Sequence, residues 1–157
     1  MPNTNIEQLN QDLIQFLRQD ELDYPAGAAK FGATVLPLLT ELINGNDENL
    51  AVKAAYLAGY INDGAVKGII GDAASNKFAA VRVAAAFSAQ KMKGADATAI
   101  LERSLEDNDP GVLKVAMRSV EKMNLAKSFK TQLSNIAKAN ADEAIKTIAA
   151  DIGKKLK

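Results

Sequence analysis

A chain of 157 residues can fold as one domain and bury roughly 70% of its unfolded surface without help from a disulfide or a metal. It contains no His, no Cys and no Trp, which removes zinc sites built on His or Cys, Ser–His and Cys–His nucleophile pairs, and imidazole acid–base chemistry. Net charge is zero, yet residues 1–109 hold nine Lys/Arg against fifteen Asp/Glu and residues 110–157 hold ten against four, so the chain runs from −6 to +6.

Met1 to Gln8 show neither the positive segment nor the apolar core of a signal peptide. No apolar run is expected to approach the ~20 residues of a membrane span. The expectation is a cytoplasmic protein with no membrane partner. Asn5, with Gln8 in the capping-box position, predicts the start of a first helix. Ile6, Leu9, Leu13, Phe16 and Leu17 form its apolar stripe. Its polar face is acidic, which argues against insertion at a lipid surface. Asp23-Tyr24-Pro25 restarts the chain into a short helix over Ala26 to Gly32. Residues 1–33 therefore read as an N-terminal helical cap over the open end of a helical array that begins at Thr34.

From Thr34 onward, helices come in pairs. The first members span Thr34 to Ile43, Ala65 to Ala74, Ala95 to Leu105 and Ala126 to Ala137. The second members span Leu50 to Ile61, Val81 to Met92, Val112 to Met123 and Ile145 to Leu156. Asn44-Gly45, Asp63-Gly64, Lys93-Gly94 and Asn124 mark breaks, and no segment shows strand alternation. In the third pair the apolar positions Val112, Val115, Ala116, Ser119, Val120 and Met123 lie on one helical face. Val81, Ala84, Ala85, Ser88, Ala89 and Met92 repeat those offsets 31 residues earlier. Leu50, Ala54, Leu57, Ala58 and Ile61 do so 31 earlier again, and Ile145, Ile148, Ala149, Ile152 and Leu156 33 later. Asp47, Asp109 and Asp142 each stand three residues ahead of the first buried position, where a helix cap belongs.

The pattern Asp-x-x-Val-Arg-x-Ala-Ala-x-x-Ala, carried best by Val81 to Met92 with Arg82 and Ala84-Ala85, resembles the HEAT repeat family. The period near 31 is most similar to its short class, which includes phycobilin lyase-type repeats. The resemblance implies an all-α, right-handed α-solenoid of about four helix pairs. The units would be 34–62, 63–93, 94–124 and 125–157, forming one compact domain with the cap. The chain departs from the family pattern in places. The arginine slot holds Ala51, Arg82, Leu113 and Lys146, and Phe78 replaces the capping Asp of the second unit. Lys53 falls where an alanine is expected in the core, so either it snorkels or the alignment of that copy slips. Gly68 and Gly71, each costing about 1 kcal/mol against Ala in a helix, are expected to serve close packing between neighbouring helices. They follow no strand and lead to no Gly-Lys-Ser/Thr, so they do not form a phosphate loop.

In HEAT-like arrays the second helices carry the usual binding face. Their remaining outward stripe is Val52, Tyr56 and Tyr60 in the first unit, then Val83, Phe87 and Lys91. It continues as Lys114, Arg118 and Lys122, then Thr147, Asp151 and Lys155. The alternatives are that the aromatics pack beneath the cap or a neighbouring helix, or that they anchor a partner whose acidic flank is steered by the cations. The expected function is a non-enzymatic protein-binding adaptor or scaffold, with Val52, Tyr56, Tyr60, Val83, Phe87, Lys91, Lys114, Arg118 and Lys122 contacting a protein or peptide. No catalytic residue, metal or cofactor is expected, and self-association remains open. A nucleic-acid-binding or DNA-repair role would need a continuous basic groove, whereas the cations here cluster late in the chain. A bilin lyase-like role is suggested only by the repeat class and would rest on Asp151 beside Lys155 or Tyr60 near Lys91. Glu106, Asp107 and Asp109 lack EF-hand spacing and read as a solvated turn ending in a helix cap.

Overall fold

In the computed structural model the chain is described over residues 2–156, with side chains from 5 to 156. The described residues form helices and turns with no strand. The helices are α1 (Pro2–Leu17), α2 (Tyr24–Phe31), α3 (Leu36–Ile43), α4 (Glu48–Tyr60), α5 (Val66–Ala73), α6 (Ala79–Ser88), α7 (Gly94–Ser104), α8 (Pro110–Lys122), α9 (Lys130–Ala139) and α10 (Glu143–Lys154). Short 3-10 turns lead into α3 (Gly32–Val35) and α9 (Ala126–Phe129), and one ends α6 (Ala89–Lys91). The fold is of the α-solenoid class, built of successive helix pairs. Two compact units are distinguished, Met1–Ala85 and Ala86–Lys157, and the division falls inside α6.

In the first unit α3 packs along α4, α5 joins both, and α1 and α2 lie on α4. The helix α4 starts where the Asp47 side chain accepts the Leu50 N–H at 3.2 Å. That bond presents Leu50, Ala54, Leu57 and Ala58 to the core, each almost wholly buried. Burial of a leucine stabilises by roughly 1.5–3 kcal/mol. Ala51 and Ala55 are buried as well, so the interior arc is wider than the predicted stripe. Of the two readings of Lys53, the side chain takes the snorkelling one. Its stem is half-buried, and its Nζ donates to the Gln19 carbonyl at 2.8 Å, just past the C-terminal end of α1.

Three expectations change. The helix α1 begins at Pro2, so Asn5 lies inside it rather than capping it; Gln8 donates one turn forward to Asp12 at 2.9 Å. Leu13 and Leu17 are buried as predicted, but Ile6 is 51% exposed. Secondly, Tyr24–Ile43 is a continuous 20-residue helical run, long and apolar enough by length and composition to cross a membrane. Here it serves the core: Phe31, Val35, Leu36, Leu39 and Ile43 are buried, and Gly32 bends the run with a φ of 63° that only glycine adopts freely. Thirdly, Gly68 and Gly71 do not mediate close packing, because a Cβ added at either would meet nothing within 4 Å.

The turn ahead of α6 shows what replaces a missing cap. Asn76 accepts the Phe78 N–H at 2.9 Å and donates to the Ile43 carbonyl at 2.9 Å. Arg82 donates to the Asn76 carbonyl at 2.9 Å. The arginine of the repeat motif thus ties its own helix to the turn before it.

In the second unit α9 packs along α10, and α8 contacts α7 and α10. Asp109 accepts the Val112 N–H at 3.1 Å, and Asp142 accepts those of Ala144 and Ile145 at 2.9 and 3.2 Å. Asp107 accepts the Asp109 N–H at 2.9 Å, so the acidic cluster is a folded turn ending in a cap. Val112, Ala116, Ser119 and Val120 are buried, with Leu113 and Met117 beside them, while Val115 and Met123 are half-buried. The buried Ser119 hydroxyl donates to the Ala86 carbonyl at 2.8 Å and accepts from Gln90 at 2.9 Å. It thereby satisfies backbone and side-chain groups where α6 tightens into its 3-10 turn.

The glycines give a paired prediction. A Cβ at Gly27 would sit 2.6 Å from Phe16 Cζ and 3.2 Å from Leu57 Cδ1, and the Phe16 ring is itself held edge-on to Phe31. Gly27→Ala should destabilise by about 1–3 kcal/mol. Gly68→Ala, with open space around it, should stabilise by about 0.4–1 kcal/mol. Urea unfolding of the two variants beside the wild type checks both signs.

Candidate functional site

Each unit assembles its own group of outward side chains. In the first, Val52, Tyr56 and Tyr60 succeed one another at four-residue intervals on α4, and all three are half-buried. Against the two tyrosines packs Tyr24, the first residue of α2. Asp23 caps that helix by accepting the Ala26 N–H at 3.0 Å, and Pro25 pre-sets the first turn. The Tyr24 ring centroid lies 5.6 Å from that of Tyr56 and 6.1 Å from that of Tyr60, with the Tyr24 and Tyr60 planes parallel to 1°. The three tyrosines of the chain therefore form one cluster. Beside it lies an open depression of ≈ 580 Å³ lined by Glu21, Leu22, Asp23, Tyr24, Pro25 and Tyr60. Val83, on the first-unit part of α6, is half-buried.

Packing under the cap thus accounts for part of the aromatic surface, while Tyr60 also reaches the depression. Tyr24 is not marked out by the sequence pattern, in which it stands only as part of a restart signal. Its being the one tyrosine outside α4 was the available clue.

In the second unit the Lys91 ammonium lies 3.8 Å from the centroid of the half-buried Phe87 ring, a cation–π contact. Burial, and then the charge of Lys122, push the Lys91 pKa below its ordinary value. Lys114, Arg118 and Lys122 are exposed and share one face of α8. The structure therefore brings Phe87, Lys91 and Lys122 into one neighbourhood and extends it with Arg118 and Lys114. Lys155 does not pair with Asp151 as its main partner. Its Nζ meets Glu121 at 2.5 Å, and that bond, more than Asp151, raises its pKa. Among the described residues no three His, Cys, Asp or Glu side chains gather to hold a metal ion.

A family model of HEAT repeats matches residues 35–121, more than half of the chain. The chain belongs to the HEAT repeat family, whose members are generally protein-interaction scaffolds. A search of the curated proteins finds no match.

The tyrosine cluster has a measurable signature. Burial, with the neighbouring phenols adding to it, raises the pKa of Tyr24 and of Tyr56 above the ordinary 10.0. The fold holds these protons more tightly than the unfolded chain does. Their stabilising contribution is therefore full below pH 10.0 and is lost as pH rises from there through the folded values. Phenolate absorbance of the native protein should titrate at higher pH than in denaturant, and urea stability should fall across the same interval. Coincident native and denatured titrations would show that the phenols are not held in the cluster.

Proposed function

We propose that this HEAT repeat chain is a non-enzymatic adaptor that binds a protein or peptide through outward faces of its second helices, in the cytoplasm and without a cofactor. The observation that carries the reading is the cation group of the second unit. Lys114, Arg118 and Lys122 stand exposed on one face of α8, and Lys91 is held over Phe87 close to Lys122. Like charges so placed repel one another in the free protein, and an acidic partner segment relieves that repulsion. Phe87 supplies the apolar contact beneath them, of the residue type that dominates interface energies. Val52, Tyr56, Tyr60 and Val83 provide the corresponding contacts in the first unit. The family supports the coarse reading, since stacked helix pairs recur as interaction surfaces rather than as one chemistry.

The test compares partners captured from the source-cell lysate by wild type, by Lys114→Glu/Arg118→Glu, and by Tyr56→Ala/Tyr60→Ala/Phe87→Ala, after circular dichroism confirms that each folds. A partner held by wild type should associate at least about tenfold more slowly with the charge-reversed protein, and its on-rate with wild type should fall as salt rises. Identical capture by all three proteins would remove these faces from the binding site. A strongly salt-dependent affinity for DNA in place of a protein partner would overturn the adaptor reading in favour of nucleic-acid binding.

A further inference from the structure

We infer that the depression bounded by Tyr24, Tyr60, Glu21 and Asp23 is a binding site for an organic cation, the ammonium or guanidinium end of a lysine or arginine side chain presented by a partner. The inference deepens the adaptor reading and rests on it in one respect, that Tyr60 meets a partner. It assigns to the first unit a ligand of opposite charge to the one the α8 cations attract.

The concavity comes first. The depression, ≈ 580 Å³ and open to solvent, has room for the end of an alkyl cation. Its walls come next. Aromatic rings attract a cation through their negative faces, and two of the six lining residues are tyrosines. Two more, Glu21 and Asp23, bring carboxylates, and none of these lining residues is basic. Such walls disfavour an anion by repulsion, and a purely apolar ligand would strip water from the carboxylates without replacing it. The wider field agrees, since residues 1–85 hold six Lys/Arg against ten Asp/Glu.

Part of the wall is fixed in advance. The Tyr24 ring packs 5.6 Å from Tyr56 and 6.1 Å from the parallel Tyr60 ring, centroid to centroid, and Asp23 holds the start of α2 through Ala26. The two rings and Asp23 therefore have little side-chain freedom left to lose when a ligand arrives, which favours binding.

The chain carries its own reporter. It has three tyrosines, all in the cluster, and no tryptophan, so tyrosine fluorescence arises from this cluster alone, two of whose rings line the depression. The experiment titrates the full chain with the Nα-acetyl amides of lysine, Nε-trimethyllysine and arginine. The Nα-acetyl amide of glutamate and sodium chloride at matched ionic strength serve as controls. A saturable fluorescence change with a cationic amide, absent from both controls, is the expected result, and the amide that binds best identifies the cation class. Glu21→Gln/Asp23→Asn removes the charge but keeps every tyrosine, and Asn caps α2 as well as Asp does. Its affinity for the best amide should be at least tenfold weaker. No saturable change with any cationic amide, an equal response to the glutamate amide, or an unchanged affinity in the double variant would each overturn the inference. Failure here with intact capture by the α8 face leaves the adaptor reading standing. A positive titration without any captured partner leaves a cation site in a protein with another role.

Discussion

Each second helix depends on where its first hydrogen bond falls. Asp47, Asp109 and Asp142 each accept the N–H three residues ahead, at 3.2, 3.1 and 3.2 Å. A residue on a helix turns the side chains by about 100°. A start displaced by one position would swing the whole buried face by that angle, replacing Leu50 with Asn49 or Ala51, Val112 with Gly111 or Leu113, and Ile145 with Ala144 or Lys146. A cap contributes only about 1 kcal/mol, much less than burial of the helix face behind it. Its importance is in selecting which face is buried. Where the aspartate is absent, at Phe78, the same selection passes to Asn76 and Arg82, which fold the turn from its other side.

Once those faces are committed to the interior, the outward residues are determined too, and the two units emerge with different chemistry. The first shows a tyrosine cluster bordered by carboxylates. The second shows a run of cations set beside a phenylalanine. The repeat makes this division cheap to evolve, because substitutions at outward positions leave the buried alanines and leucines untouched.

Much of this was legible in the amino-acid order because it is local. A 3.6-residue period and an aspartate three positions ahead of it both act within one turn, so the pairs, their spacing and their caps could be read directly. The features that escaped were long-range. Tyr24 belongs with Tyr60 across 36 positions of chain, and no periodicity announces that. Ser119 looked like one more small residue in a stripe, yet it donates to Ala86 and accepts from Gln90. The glycines misled for a related reason: Gly27 is crowded by Phe16 and Leu57, whereas Gly68 and Gly71 face open space, and only the neighbours distinguish them. The run Tyr24–Ile43 likewise carries the composition of a span, and burial of its apolar side chains against other helices is what makes it a core element.

The openness around Gly68 and Gly71 has a dynamic side. The eight residues of α5 include both glycines, and Ala65 ahead of them contributes no side-chain cap. Val66, Ile70 and Ala73 hold the helix down from one side only. Such an element opens locally at a small fraction of the free energy needed to unfold the unit. Its amide protons are expected to exchange with solvent through brief excursions of α5 alone, ahead of those of α4, whose start is capped by Asp47 and whose inner face is buried. On these grounds α5 is the element of the first unit expected to open first, and an opening there would uncover the apolar ground on which Ile70 rests.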